Sequence, residues 1–170
     1  ALSRKLRGKL YRDKHVGGVD VTGDPSGLQR STTNEEGINN YTQILDTLGG
    51  GVLRPKLKLL KKQPPQVTRC DFVNQVFDGY NGWEIRIDLR CRRLTEDLIY
   101  QLRNDDGTKA KKKVVDSKTG VKFEKYGHLS DCLDYLLCYY RRDNWYRFKN
   151  GEDSDVGILS TAVLHEGFCY

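Results

Sequence analysis

The segment between residues 127 and 140 constrains the fold of this chain most strongly, because its apolar residues recur at the spacing of an α-helix. Five of them fall on one helical face: Leu129, Leu133, Leu136, Leu137 and Tyr140. We predict a helix over about residues 127–142, packed by this face against a sheet. Asp131 lies in its first turn and points toward a flank of the apolar face. A carboxylate at that position is either a helix cap or a metal ligand.

A second acidic residue lies in the stretch Gly23-Asp24-Pro25-Ser26-Gly27. The β-branched residues before it predict a strand that ends at Asp24, because Pro25 cannot continue a hydrogen-bonded ladder. An acid at the carboxyl end of a strand lies where α/β folds usually place their functional sites. The other interpretation is an aspartate that only caps the turn.

The remaining pattern alternates helices with short strands and predicts an α/β protein. Helical spacing predicts further helices at residues 1–14, 36–48 and 67–77 and from Thr95 onward. Alternation of apolar with polar residues predicts strands at 53–59 and 83–89. Residues from about 145 onward predict a partly linker-like tail.

The formal net charge of +6 over 170 residues favours an anionic partner, nucleic acid first. The densest basic run contains Lys109, Lys111, Lys112 and Lys113 and is either a solvated loop or a contact to a phosphate backbone. No apolar run approaches the roughly 18 residues of a membrane-spanning helix, and no secretory signal is visible. We therefore expect a cytosolic protein of one domain without a membrane partner. The five cysteines lack metal-ligand spacing, which favours reduced thiols.

Common catalytic motifs are missing from the sequence, which has no Gly-x-Ser-x-Gly, no phosphate-binding loop and no dinucleotide-binding glycine pattern. The two acids at element ends, Asp24 and Asp131, remain as candidate chemistry. Carboxylates in a basic chain suit Mg²⁺ or Mn²⁺, because hard cations prefer oxygen ligands. Two such ions activate a water and stabilise the leaving oxygen in phosphodiester cleavage.

The blocks at residues 23–27, 83–94 and 127–135, with Arg30 and Arg69 between them, occur in a characteristic order and spacing. Over about residues 1–142 this series resembles the nuclease domain of tailed-phage large terminase subunits. The resemblance implies an RNase H-like fold, in which helices flank a mixed sheet. It also implies a metal-dependent endonuclease that cuts concatemeric double-stranded DNA during genome packaging, with Asp24 and Asp131 binding two Mg²⁺ or Mn²⁺ ions.

The same resemblance implies the biological setting and further site residues. Expected partners are double-stranded DNA, a portal protein, a small terminase subunit and an ATPase domain upstream in the same polypeptide, in the host cytoplasm during phage assembly. Asp134 is expected as an accessory ligand at most, because the family commonly has a basic or polar residue at this position. Asp20 is a minor candidate, because it lies four residues before Asp24 and would share its face on a strand. His128 or Lys125 would orient water or phosphate. Arg30 joins the lysine run as an expected DNA contact.

The family's first catalytic acid lies on a strand earlier than any in this sequence, and the chain starts at Ala1 and contains no methionine. We therefore expect residues 1–145 to be a nuclease domain that lacks its first strands and residues 146–170 to be a tail. Weak or absent cleavage by the isolated chain follows from the missing acid. Two alternatives remain open. One is a non-catalytic DNA-binding or assembly module, and the other is a different RNase H-like nuclease of the resolvase or recombinase type.

Overall fold

The computed structural model describes residues 2–29, 38–49 and 51–152. Within these ranges six helices form: α1 Leu2–Arg12, α2 Asn40–Leu48, α3 Gln66–Phe77, α4 Arg92–Tyr100, α5 His128–Tyr140 and α6 Arg142–Asn150. Four short strands accompany them: β1 Asp20–Val21, β2 Lys56–Leu57, β3 Lys113–Val115 and β4 Lys122–Glu124. The protein is therefore of mixed α/β class. No described helix has the length and apolar character needed to cross a membrane.

The chain divides into two compact units, residues 1–63 and residues 64–170. In the first unit α1 packs against α2, and β1 pairs in parallel with β2. Its buried apolar side chains are Tyr41, Leu48, Leu53 and Leu60.

The second unit is built around α3, which packs against α5 and α6, while α4 packs against α5. Phe72 of α3 lies at the centre of its core, with its ring edge-on to Trp145 of α6 at a centroid distance of 5.6 Å. Both side chains are almost fully buried. Aromatic side chains bury the largest apolar areas, so this pair anchors α6 to the unit.

The strongest helical patterns are confirmed, but the predicted strands are mostly not. The helix predicted from Thr95 begins at Arg92, and the predicted helix start at Glu36 lies outside the described residues. The strand predicted at 83–89 is wrong, since residues 83–88 form no strand and no described segment offers them a ladder partner. The described strands form two separate two-stranded sheets, so an RNase H-like sheet stays a prediction.

The predicted boundary at residue 145 falls inside α6. The helix buries Trp145, and the linker-like composition that suggested a tail begins only at Gly151, where the helix ends. The assignment of residues 1–145 to a nuclease domain stays a prediction.

The predicted buried face of α5 is wrong. Leu129, Leu136 and Tyr140 are 41%, 40% and 51% exposed. The residues that α5 buries lie on a different face: Ser130, Asp134, Tyr135 and Cys138. A buried carboxylate requires a partner, and α3 supplies one to Asp134 in Arg69.

Candidate functional site

Asp97 of α4, rather than Asp131, caps the first turn of α5. One oxygen of Asp97 accepts a hydrogen bond from the backbone N–H of Gly127 at 2.7 Å. The other accepts from the N–H groups of Leu129 and Ser130 at 2.8 and 2.9 Å. The buried carboxylate thus satisfies three of the donors that a helix start leaves unpaired, and its charge complements the helix dipole. Gly127 has φ +105°, and a Cβ there would lie 2.7 Å from the Gln101 side-chain oxygen.

Beneath this cap lies a cluster of two buried cations and two acids, which we call the charge cluster: Arg69, Lys109, Asp131 and Asp134. The Lys109 ammonium donates to Asp134 at 2.7 Å and to Ser130 at 3.1 Å, and lies 3.3 Å from Asp131. The Arg69 guanidinium donates to Asp131 at 2.8 Å and to Asp134 at 3.2 Å. Two positive and two negative groups therefore compensate each other where isolated charges would be costly.

Asp131 is the member of the charge cluster that reaches solvent, with 18% of its side chain exposed. Its outer oxygen lies 3.4 Å from the ammonium of Lys111, which also pairs with Glu124 at 3.1 Å. The His128 ring lies 3.7 Å from the same Glu124 oxygen. Lys111 therefore links the charge cluster to the surface beside α5.

The protein environment shifts the pKa values of Asp131, Asp134 and Lys111 in different directions. Burial favours the neutral carboxyl of Asp131, but the charges of Lys109 and Arg69 outweigh burial and lower its pKa. Burial dominates at Asp134 and raises its pKa, although Lys109 and Arg69 pull in the other direction. Burial also disfavours the ammonium of Lys111, yet Glu124 and Asp131 hold the pKa of Lys111 above its ordinary value.

Asp24 lies in the first unit and caps a short 3₁₀ helix, Pro25–Leu28. One of its oxygens accepts from the N–H of Ser26 at 2.8 Å, and the other accepts from the Gln63 amide at 3.1 Å. The ring of Tyr41 packs against Gly27 so closely that a Cβ there would lie 2.7 Å from a ring carbon. The glycine-rich loop thus has a structural explanation in the turn and in this contact.

The other predicted site residues have separate positions. Asp20 is an exposed residue of β1, and Arg30 lies outside the described residues. The prediction that Lys109 contacts DNA is wrong, because its ammonium is buried on Asp134 and Ser130. The remaining predicted basic residues of this region are exposed: Lys111, Lys112, Lys113 and Lys125. Asp24 and Asp131 belong to different units, so their convergence stays a prediction.

Asp131 as arranged here does not fit a divalent metal ion. Arg69, Lys109 and Lys111 already contact its oxygens, and their charges would repel a further cation. The described part of the chain contains no group of three His, Cys, Asp or Glu side chains suited to a metal. Binding of Mg²⁺ or Mn²⁺ stays a prediction from the resemblance.

The sequence analysis missed Asp97, Glu124 and the pairing role of Arg69. The sequence contains a signal for two of them, because each is a charged residue next to the apolar face of its helix. Asp97 directly precedes Leu98 in α4, and Arg69 directly precedes Cys70 in α3. Charged residues at such positions indicate buried partners of opposite charge. Comparisons with protein-family models, curated proteins and solved structures found no match to this chain.

Proposed function

We propose that this chain binds double-stranded DNA through the basic hairpin, defined as residues 111–125. The observation that carries the proposal is the concentration of six lysines and only two acids in these fifteen residues. Among the described residues, Lys112, Lys113, Lys118 and Lys122 form no ion pair, and all four are exposed. The charge cluster is already neutral by itself, so these four exposed lysines are available to bind phosphates.

Phosphate binding relieves the repulsion among neighbouring lysines and releases counterions from the DNA. The proposal therefore requires an affinity that falls as salt rises, and it requires little preference for base sequence from the lysines themselves. The formal net charge of +6 arises from residues 1–63, which hold twelve basic and six acidic residues, and it supports approach of the whole chain to a polyanion.

Fluorescence anisotropy with a labelled duplex tests this function. We expect Lys112→Glu combined with Lys113→Glu to weaken binding at least tenfold and to flatten the salt dependence by about 0.9 per phosphate contact removed. Lys61→Glu combined with Lys62→Glu is the matched control, because both lysines are exposed and lie outside the hairpin. Equal losses in both variants would leave only a nonspecific charge effect and would contradict the assignment to the hairpin.

A second candidate is the metal-dependent endonuclease of a phage large terminase subunit. It is favoured by the ordered sequence blocks and by the partial exposure of the Asp131 side chain. In this candidate Asp24 and Asp131 would hold Mg²⁺ or Mn²⁺, which requires Asp131 to exchange its contacts with Arg69 and Lys111 for the metal.

Plasmid cleavage by the longest natural polypeptide that contains this chain separates the two candidates. For the nuclease we expect Asp131→Asn to abolish Mg²⁺- or Mn²⁺-dependent cleavage while duplex binding is retained. Asp105→Asn serves as a control, since Asp105 is an exposed aspartate that is not part of the charge cluster. Cleavage that survives in Asp131→Asn would eliminate Asp131 as a catalytic residue.

A further inference from the structure

The basic hairpin is exposed on both of its faces. β3 and β4 are antiparallel, with Lys113 opposite Glu124, Val114 opposite Phe123 and Val115 opposite Lys122. Opposed side chains share a face, so one face carries Lys113, Val115, Lys122 and Glu124, and the other carries Val114 and Phe123. Val115 is 58% exposed and Phe123 is 46% exposed, which places apolar surface in solvent on each side.

The tip of the hairpin is held in one conformation by its own side chains. One oxygen of Asp116 accepts from the N–H groups of Lys118 and Thr119 at 2.9 and 2.7 Å. The same oxygen accepts from the Thr119 hydroxyl at 3.0 Å, and Gly120 has φ +68°. Lys118 and Lys122 are therefore presented at the tip by an ordered turn rather than by an unstructured loop.

A two-stranded ribbon without a buried face is marginally stable by itself. The exposed side chains of Val115, Val121 and Phe123 gain no free energy from burial, and the neighbouring lysines repel one another. Both deficits are reduced by a partner that carries negative charge along its walls and some apolar groups on its floor. The major groove of duplex DNA has this character, with phosphates along both edges and thymine methyl groups among the base edges.

We infer that the basic hairpin lies in the major groove of duplex DNA, an inference that rests on the DNA-binding function proposed above. The groove is about 12 Å wide and accepts a two-stranded ribbon whose strands are about 4.8 Å apart. Lysines project from both faces of the ribbon, Lys113 and Lys122 from one and Lys112 and Lys125 from the other. The lysines of both faces can thus contact phosphates of the groove walls, while Phe123 meets the base edges.

Methylation protection of guanine N7, an atom exposed in the major groove, tests this geometry. Dimethyl sulfate is applied to a short duplex alone, with the full chain, and with Lys118→Ala combined with Lys122→Ala. We expect protection by the unchanged chain, loss of protection with the hairpin variant, and a salt slope about 1.8 smaller in anisotropy. Lys61→Ala combined with Lys62→Ala is the charge-matched control and retains protection.

Failure of this inference is distinguishable from failure of the proposed function. Duplex binding by the unchanged chain without N7 protection would overturn groove insertion but leave DNA binding intact. Tighter binding to the single strand than to the duplex would also overturn groove insertion, since stacking of bases on Phe123 would then explain the affinity. Absence of any DNA binding would overturn both. Circular dichroism establishes that the exposed substitutions leave the fold unchanged.

Discussion

At the scale of single residues, Lys109 and Lys112 show how neighbours in one basic run reach different environments. Lys109 pairs in an isolated β-bridge with Arg103, and its side chain enters the charge cluster. Lys112 lies three residues later, is exposed and forms no ion pair among the described residues. Charge density along the sequence therefore did not distinguish a structural lysine from a surface one.

Replacement of Lys109 tests its structural role. Lys109→Met leaves the buried Asp134 without its closest cation, so we expect a loss of about 3–5 kcal/mol in the free energy of unfolding. Urea denaturation of the full chain measures this loss. Lys112→Met is the control, and its exposed side chain predicts a change within about 0.5 kcal/mol. A loss below about 1 kcal/mol for Lys109→Met would contradict the pairing described here.

The pH dependence of stability tests Asp131 independently of any activity. Its pKa is lowered on folding, so its contribution is fully present above the ordinary carboxyl pKa of about 3.9 and is lost as pH falls through the folded value. We expect Asp131→Asn to be destabilised by about 1–2 kcal/mol near pH 6, with the difference shrinking below about pH 4. Urea titrations across this pH range provide the measurement, and a difference that is constant with pH would contradict it.

At the scale of elements, the sequence predicted that α5 is a helix but did not predict which of its faces is buried. The helix follows from a local repeat of apolar residues, whereas the buried face follows from the charges that α3 and the segment before β3 present to it. Asp134 is buried because Arg69 and Lys109 meet it there. The start of α5 likewise depends on Asp97, a residue of another helix.

Removal of the cap tests this dependence. Asp97→Ala leaves the N–H groups of Gly127, Leu129 and Ser130 without their acceptor, so we expect a loss of about 2 kcal/mol or more. Hydrogen exchange read by NMR should show the largest loss of protection at these amides. The exposed Asp105→Ala is the control and should change neither stability nor exchange. Unchanged protection at Leu129 and Ser130 in Asp97→Ala would contradict the cap.

At the scale of the whole molecule, the formal charges of the charge cluster sum to zero, so the cluster does not contribute to the net charge of +6. That excess lies in residues 1–63, which contain twelve Lys and Arg against six Asp and Glu, whereas residues 64–170 contain seventeen of each. The basic hairpin, with six lysines and two acids, is therefore a local concentration of positive charge within a unit of zero formal net charge.

The cysteines report on opening of the second unit. Cys70 and Cys138 are fully buried, and burial raises the pKa of Cys138 to about 12, so almost none of it is thiolate near pH 8. Cys132 is exposed, but partial burial of its thiol and the nearby Asp131 raise its pKa as well. Among the four cysteines of the described residues, we expect alkylation at Cys91 first, then Cys132, and at Cys70 and Cys138 only when urea unfolds the chain. Mass spectrometry of peptides measures this order, and early alkylation of Cys138 in the native protein would contradict it.

The sequence by itself determined α1, α3 and α5, because their apolar period is a local property of consecutive residues, but it did not predict α6. It also determined the basic character of residues 111–113 and the turn at Asp24. Tertiary structure decided which face of α5 is buried, which lysine of the run is structural and which acid caps the helix. These outcomes depend on the pairing of charges across elements far apart in sequence, such as Arg69 with Asp131. A buried charge is stable only opposite its partner, and the partner is fixed by packing rather than by the local pattern.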